Sequence, residues 1–533
     1  MKKSNSSILL IVSSVLYAVC SAIVIYMSVI LGKLIDSAAL NNMDLLLKNI
    51  YICFGLAVLY LIIVKFAIAL RMMFVQNKMI SLKKDGIIKI LQTPIKNFLK
   101  LDNAFYLNLF TADADSIEEK YFCSIPIIVF YILKLALSVG VLFYINWIIP
   151  LAFAAFFLIP MLISQLFNKK LANATKISSQ ANEDYLFNIK ETIDGLETIK
   201  LNSNEDIKSE KVYEKIKILQ DKKRKTRALS SFIIELSNIA STISQLGCIA
   251  LGGYLVIKGS ITIGSLIVCI ELSGGCFGAI EVIGTKLSEV KSMKILLNKY
   301  NALKNTDEVP EQKDCIENNQ STIIEYKDVS FAFGENTIID NYNFSFEKGK
   351  NYAIVGPSGS GKSTFVRLML KYYDNYSGNI IFKGNDISQI SDIDLYKTIR
   401  YVSQQPYLFN ETLIQNITLS QECNSEKLNA IIRKTNLTEL VEKYGDNPIG
   451  DNGKKISGGE RQRISLARAL ISNPDIIIFD EPTSALDPEN VELISKLIIG
   501  LDNITCIVIT HDQSSDFLVN FDEVLTFASK TND

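Results

Sequence analysis

The sequence predicts a multidomain chain, an all-α transmembrane domain of six helices followed by an α/β domain of the P-loop (phosphate-loop) type. Three observations predict it. Long apolar runs crowd the first half of the chain, and the second half has the mixed composition of a soluble α/β domain. The stretch Gly356–Thr364 reads Gly-Pro-Ser-Gly-Ser-Gly-Lys-Ser-Thr, between the apolar run Tyr352–Val355 and the helix-forming run Phe365–Lys371. A further apolar run, Asp475–Asp480, ends in an acid, as a strand does when it carries a carboxylate to a phosphate site. The 533 residues are 48% hydrophobic, and the mean hydropathy of +0.22 is high for a soluble protein.

In chain order, Met-Lys-Lys gives way to the apolar run Ile8–Leu31. It is too long for a signal-peptide core and no small-residue cleavage site follows it, so it reads as a retained membrane helix. Further runs lie at about Ile50–Phe74, Phe122–Ile145, Trp147–Leu166, Leu229–Ile257 and Ile261–Ile283. They place six spans in a domain covering residues 1–297. A large soluble helical core is the competing reading, and two runs left nearly uninterrupted over about 20 residues weigh against it. No peptidase segment precedes the first run, so leader cleavage by this chain is not expected.

The connections set the orientation. Those after the second and fourth runs are long and basic (Lys78, Lys83, Lys84, Lys89, Lys96, Lys100; then Lys169, Lys170, Lys176, Lys190, Lys200 and 222–227), whereas the others carry only Lys33, Lys48 and Lys258. The excess of lysine and arginine puts the long connections, and both ends of the membrane domain, in the cytoplasm of a cell whose cytoplasmic membrane holds the chain. Ionisable residues inside apolar spans are functional candidates by default. Here they are Glu235, Glu271, Glu281 and Lys134. They either face a central cavity, where a cationic peptide or amphipathic drug would suit the glutamates, or lie near span ends and pair with Lys134 or Lys286.

Residues 298–321 are polar and without period, a linker to a second domain over 322–533. Strand-like segments follow at Thr322–Tyr326, Val329–Phe333 and Asn343–Phe346. In the phosphate loop, Gly356, Gly359 and Gly361, with Pro357, Ser358 and Ser360 between them, let backbone N–H groups wrap a phosphate against the following helix N-terminus. Lys362 brings a point charge to the outer phosphates, Ser363 completes the motif with a hydroxyl for Mg²⁺, and Thr364 ends the stretch. Downstream, Asp480 is an acid able to hold Mg²⁺ and Glu481 is placed to polarise a water. His511, the chain's single histidine, closes the apolar run Thr505–Thr510. It is either a structural residue or a sensor of phosphate, and its strand-end position favours the second.

Net charge is −1, which gives no field for nucleic acid. Nine cysteines are scattered without a C-x-x-C pair, so neither a zinc site nor a disulfide framework is expected.

With these residues in place, the chain resembles an ATP-binding cassette transporter of the exporter type, a half-transporter of six spans fused to one nucleotide-binding domain. The distinguishing signature stands as Ile456-Ser457-Gly458-Gly459-Glu460, followed by Arg461-Gln462-Arg463. The resemblance implies that ATP with Mg²⁺ is sandwiched between the phosphate loop of one copy and Ser457, Gly458, Gly459 and Glu460 of another. It also implies that Gln404, in Val-Ser-Gln-Gln-Pro-Tyr-Leu-Phe, links Mg²⁺ and the attacking water to the membrane domain. Ser484-Ala485-Leu486-Asp487 matches the loop by which two such domains sense each other. Phe333 falls where an aromatic stacks on adenine, and is otherwise a strand-core residue. Gly450-Asp451-Asn452-Gly453 resembles a cross-contact segment, with Asp451 in place of the usual glutamate. In the membrane half, Glu191–Gly195 and the stretch from Gly252-Gly253 to Gly264 match more loosely.

Glu460 replaces the usual glutamine and Ile456 the usual leucine, neither within the Ser-Gly-Gly core, so a working site is expected. Nothing required for hydrolysis is missing. That favours a homodimer, with a heterodimer beside a related half-transporter left open. The resemblance implies an ATP-hydrolysing exporter of a peptide, drug-like amphipath or lipid. The alternatives are an importer on the same fold and a membrane-bound ATPase acting as sensor or regulator.

Overall fold

The computed structural model describes residues 2–302, 321–484, 486–511 and 515–528. Most of the expected linker, and Ala485, fall outside them. The described chain groups into two units, residues 2–88 with 104–302, and residues 89–103 with the chain after 321.

The first unit is helical. It opens with α1 (Lys2–Ala39) and α2 (Met43–Gln92), and the single turn α3 (Ile95–Phe98) follows within the stretch that groups with the second unit. Then come α4 (Asn103–Asn108), a π-turn at Leu109–Asp113, α5 (Ala114–Ile117), a second π-turn at Glu118–Phe122, and α6 (Ser124–Ile145). Four helices complete it, α7 (Ile148–Asp194), α8 (Leu196–Leu201), α9 (Glu205–Ile257) and α10 (Ile263–Ala302). Among the described residues five helices are long and apolar enough to cross a membrane. The fourth expected run lies on α7, where several side chains between 153 and 164 fall outside the described residues.

At 50 residues α2, 47 α7 and 53 α9 far exceed their apolar runs. A bilayer needs only about 20 residues. The polar connections prolong the helices because they are rich in Lys, Glu, Leu and Ile and lack internal proline, so nothing stops the turn. α7 and α9 run antiparallel, pinned where Ser244 Oγ donates to the Phe156 carbonyl (3.0 Å) and Thr226 Oγ1 to that of Ala174 (3.1 Å). α1 and α10 cross at Gly32 and Gly264, so closely that a Cβ on Gly264 would lie 2.1 Å from the Gly32 carbonyl oxygen.

The π-turns were not foreseen. Buried Tyr300 on α10 donates its hydroxyl to the Leu109 carbonyl inside the first of them (2.5 Å). The pairing with Lys134 or Lys286, one of the two readings of the span glutamates, is not formed among the described residues. Lys286 binds Glu289, its neighbour one turn on (2.7 Å), and among the described residues Glu235, Glu271, Glu281 and Lys134 form no ion pair. The i,i+3 geometry on one helix brings Lys286 and Glu289 together without long-range packing. The three glutamates are exposed on this chain.

The second unit has two sheets. β1 (Thr322–Phe333) and β2 (Asn336–Glu347) lead to β3 (Asn351–Val355), then α11 (Lys362–Met369), β4 (Tyr376–Phe382), β5 (Asn385–Asp386), α12 (Asp392–Thr398) and β6 (Ile399–Val402). Next come α13 (Leu413–Thr418), α14 (Ser425–Lys434), α15 (Thr438–Tyr444), α16 (Gly458–Leu470), β7 (Ile476–Asp480), α17 (Pro488–Ile499), β8 (Thr505–Thr510), α18 (Ser515–Leu518) and β9 (Glu523–Thr526). One sheet is antiparallel in the order β2-β1-β4-β5, the other parallel in the order β6-β7-β8-β3-β9.

β7 and β8 are buried at every position, which is why their sequences are unbroken apolar runs rather than alternating ones. The two expected strands 322–326 and 329–333 are one. The register slips between Tyr326 and Val329, with Asp328 in the left-handed region (φ 50°), so a bulge mimics a turn in the sequence. Ile95 and Lys96 of α3 belong to this unit, Lys96 binding Asp374 (2.9 Å) beside a groove lined by Tyr372, Tyr407 and Arg468.

Candidate functional site

The parallel sheet collects the candidate residues at one edge. β3 and β7 both flank β8, so the loop after β3, the acids ending β7 and the residue after β8 emerge together at the carboxyl ends of adjacent strands, where open α/β sheets bind ligands. Gly356 to Gly361 fill the first of these turns. Gly361, at φ 100°, is the N-cap of α11, and a Cβ there would come within 2.8 Å of Ile338. A glycine is required on both counts. The loop thus brings backbone and helix N-terminus to one concavity, lined by the half-buried Ser360, whose buried hydroxyl has no hydrogen-bond partner among the described residues.

Lys362 is buried, with Nζ donating to the carbonyls of Gly356 (2.7 Å) and Pro357 (2.9 Å). Burial holds its ammonium below the usual lysine range, opposed by the charges of Glu481 and Asp480. Ser363 and Thr364 follow in the first turn of α11, half-buried.

Glu481 is the centre of the second group. It sits just past β7 in the left-handed region (φ 47°), its N–H bonded to the Ile509 carbonyl of β8 (2.9 Å). This unusual backbone turns its carboxylate out of the strand direction. Gln404 Nε2 donates to Oε2 (2.8 Å) and to Ser484 Oγ (3.1 Å), which in turn donates to the Glu481 carbonyl (3.0 Å). His511 Nε2 lies 2.7 Å from Oε1. The other ring nitrogen, Nδ1, is 3.1 Å from the Gly356 carbonyl. A carbonyl and a carboxylate can only accept, so both ring nitrogens face acceptors, Nδ1 the Gly356 carbonyl and Nε2 the Glu481 carboxylate, with Ser358 Oγ 3.4 Å from Nε2. His511 therefore bridges the phosphate loop and the carboxylate.

Asp480, next in line, is buried, and its Oδ2 accepts the Tyr401 hydroxyl (2.5 Å). Sequence reasoning missed Tyr401, whose partner is 79 residues away. It likewise missed Gln462, whose side-chain amide holds the Gln404 carbonyl (2.9 Å), and Ser484 as a direct ligand of Gln404.

The signature turn is built by capping. Ser457 is the N-cap of α16, its hydroxyl accepting from Glu460 N (3.3 Å), while Glu460 Oε2 accepts from Ser457 N (2.7 Å). The departure at Glu460 thus completes a capping box within its own chain. Gly459 packs on Asn490, which Arg463 also grips (2.9 Å). Ser457 and Gly458 stay exposed, and no hydrogen bond among the described residues joins Ser457–Glu460 to the phosphate loop.

Phe333 ends β1 with its ring 49% exposed, edge-on to Phe331 (4.9 Å) and Tyr373 (5.3 Å), which places it at a surface rather than in the core. If Phe333 stacks on adenine, Phe333→Ala should weaken ATP binding by about 1 to 3 kcal/mol, the scale of base stacking on an aromatic. Folding should change little. Titration of a fluorescent ATP analogue beside a thermal melt tests this, and unchanged affinity with a lowered melt would make the ring structural.

The residues fit a nucleoside triphosphate, since the glycine cradle, the unpartnered Ser360 hydroxyl and the Lys362 ammonium are all donors with anion-binding geometry. They also fit Mg²⁺. Ser363 and Gln404 offer neutral oxygens and Asp480 a carboxylate, and among the described residues no three acidic, His or Cys side chains form a complete metal site. That donor set suits an ion that completes its shell with water and phosphate oxygens.

Residues 10–280 match the family model of the ABC transporter transmembrane region, more than half of the chain, and residues 339–484 match the family model of the ABC transporter. The chain is an ABC transporter. It is similar to the ATP-dependent lipid A-core flippase of Syntrophus aciditrophicus, 30% identical over 84% of this chain and 76% of that one. The flippase of Desulfotalea psychrophila is 30% identical over 70% and 67%. The ABC-type oligopeptide transporter of Homo sapiens is 28% identical over 76% of this chain and 54% of that one. A solved bacterial Atm1-family ABC exporter with ATP bound shares the fold, with a TM-score of 0.82 over 99% of this chain and 94% of the other at 19% identity. This is an exporter-type half-transporter, a multi-pass membrane protein that couples ATP hydrolysis in a cytoplasmic domain to transport.

Proposed function

We propose that the chain exports an amphipathic substrate of lipid or peptide character, and that it does so as a dimer whose two ATP sites are each shared between copies. The observation that carries the dimer is the division of the site. Lys362, Ser363, Gln404, Asp480, Glu481 and His511 converge at one sheet edge, while Ser457 and Gly458 present an exposed, pre-capped turn that has no partner from that edge among the described residues. A second copy is the simplest source of each missing half.

In this reading Lys362 and the loop N–H groups hold the outer phosphates of ATP. Ser363, Gln404 and Asp480 would hold Mg²⁺, which neutralises phosphate charge when bound. Glu481 orients and deprotonates the attacking water, with Gln404 and His511 fixing its two oxygens. His511 also touches the loop carbonyl, so it is placed to register the state of the phosphates. Closure on ATP and reopening after hydrolysis would drive alternating access in the helical unit. The substrate class rests on the relatives, among them lipid A-core flippases and an oligopeptide transporter, and on the exposed glutamates of the spans.

Mixing two inactive chains tests the shared site. Lys362→Ala and Ser457→Arg place both defects in one composite site of a mixed dimer and leave the other intact. ATPase activity should return on mixing. Full activity of either variant alone, or of a detergent-solubilised monomer, would sink the shared-site reading. The substrate class is tested by stimulation of ATPase in reconstituted vesicles across lipids, peptides and drugs.

A further inference from the structure

Dense positive charge sits where α7 and α9 leave their apolar runs. Lys169, Lys170 and Lys176 follow the run on α7, and five of the six positions 222–227 are Lys or Arg, just before the run on α9. The two stretches are neighbours in space. Thr226 Oγ1 reaches the Ala174 carbonyl (3.1 Å), and the rings of Phe167 and Phe232 are 6.3 Å apart. Both helices are unbroken here, so at 1.5 Å per residue the cations occupy a band roughly 15 Å deep.

Within 167–182 and 219–234 the one acid is Asp221, already bound by Arg224 (2.9 Å) and Lys225 (2.8 Å). Lys169, Lys170, Lys176 and Arg227 are exposed. Orientation in the membrane requires only an excess of cations in a connection, on any face and at any depth. Two helices bringing them to one level, against the polar end of both apolar runs, is a stricter arrangement.

We propose that this band is a docking site for anionic phospholipid headgroups of the cytoplasmic leaflet. Clusters of four to eight Lys and Arg immediately beside a membrane span attract anionic lipid, and the attraction fades within a Debye length, so position next to the span is essential. Lysine stems can lie along the apolar helix surface while the ammonium reaches a phosphodiester. Cations from two helices can hold one phosphate from two sides, which a single helix face cannot. Because the α7–α9 pair is continuous from span to cytoplasm, lipid bound there would bias the position of both helices together.

The test is lipid retention by the full chain, purified in detergent doped with equal phosphatidylglycerol and phosphatidylcholine and read by native mass spectrometry. Wild type should retain phosphatidylglycerol over phosphatidylcholine, by about fivefold for each cation engaged, and rising salt should erode the preference. A variant with Lys169, Lys170, Lys176 and Arg227 all changed to Gln should lose most of it. A variant with Lys211, Lys215, Lys291 and Lys294 changed to Gln should keep it, and so should one carrying only Lys169→Arg, Lys170→Arg and Lys176→Arg. ATPase activity in phosphatidylcholine vesicles identifies variants that have folded, and the salt series on wild type needs no variant.

No preference in wild type would overturn the proposal, as would a preference insensitive to salt or equal losses in the two four-Gln variants. Displacement of the lipid by inorganic phosphate at matched ionic strength would point to a soluble anion instead and would also overturn it.

Discussion

Glu481→Gln should bind ATP with near-normal affinity and turn it over about 10² to 10⁴ times more slowly, the range expected for loss of a general base. The substitution keeps side-chain length and an oxygen for Gln404 to donate to, so the hydrogen bond at 2.8 Å and the Ser484 contact can persist. What it removes is the ability to take a proton from water. With binding intact and hydrolysis blocked, the variant should accumulate dimers closed around ATP, visible as a larger species in the presence of ATP and Mg²⁺. Single-turnover hydrolysis measured beside ATP binding separates the two effects. Near-normal turnover would remove Glu481 from the role of base and shift it to His511, which lies 2.7 Å away.

The phosphate loop, the β7 acids and the signature were legible because each is a contiguous word whose chemistry is local. A glycine pattern opening a helix, an apolar strand ending in acids, and Ser-Gly-Gly before a helical run need no knowledge of the fold. The apolar spans were legible for the same reason. Tyr401 was not, since nothing in its neighbours says that β6 will lie beside β7 and aim a hydroxyl at Asp480, and Ser484 was legible as part of a loop but not as the partner of Gln404. The bulge at Asp328 was misread as a break between strands because two residues out of register look like a turn in one dimension. The π-turns left no signal in composition. The first of them is tied to Tyr300, nearly 200 residues downstream, by a bond from its hydroxyl to Leu109. The glutamates of the spans were ambiguous in sequence and gained no opposite charge among the described residues, where Lys286 is taken by Glu289.

Gly264→Val should be the most damaging single change in the helical unit. Gly264 and Gly32 face each other so closely that a Cβ on either meets backbone, the Gly32 oxygen at 2.1 Å and the Gly264 oxygen at 2.8 Å. Backbone cannot swing aside as a side chain can, so α1 and α10 must part. Parting them costs the overpacking penalty, about 1 to 3 kcal/mol. It also breaks the cap that α1 supplies to α10, in which Asp36 accepts from Gly264 N (2.7 Å) and Thr262 Oγ1 (2.8 Å) at a helix N-terminus. Hydrogen bonds to a charged group contribute about 1.5 to 3 kcal/mol. The two losses add to roughly 2.5 to 6 kcal/mol, enough to deplete the folded protein. Asp36→Asn tests the second part alone, because it keeps the volume and weakens only the charge-assisted bonds, so its loss should be smaller. Gly253→Val is the control, since a Cβ there meets nothing within 4 Å. Thermal midpoints and folded yield in detergent should rank Gly264→Val lowest, Asp36→Asn between, and Gly253→Val near wild type. If Gly264→Val matched the control, the glycine crossing would carry no stability, and Asp36 would hold α10 in place without help from close backbone approach.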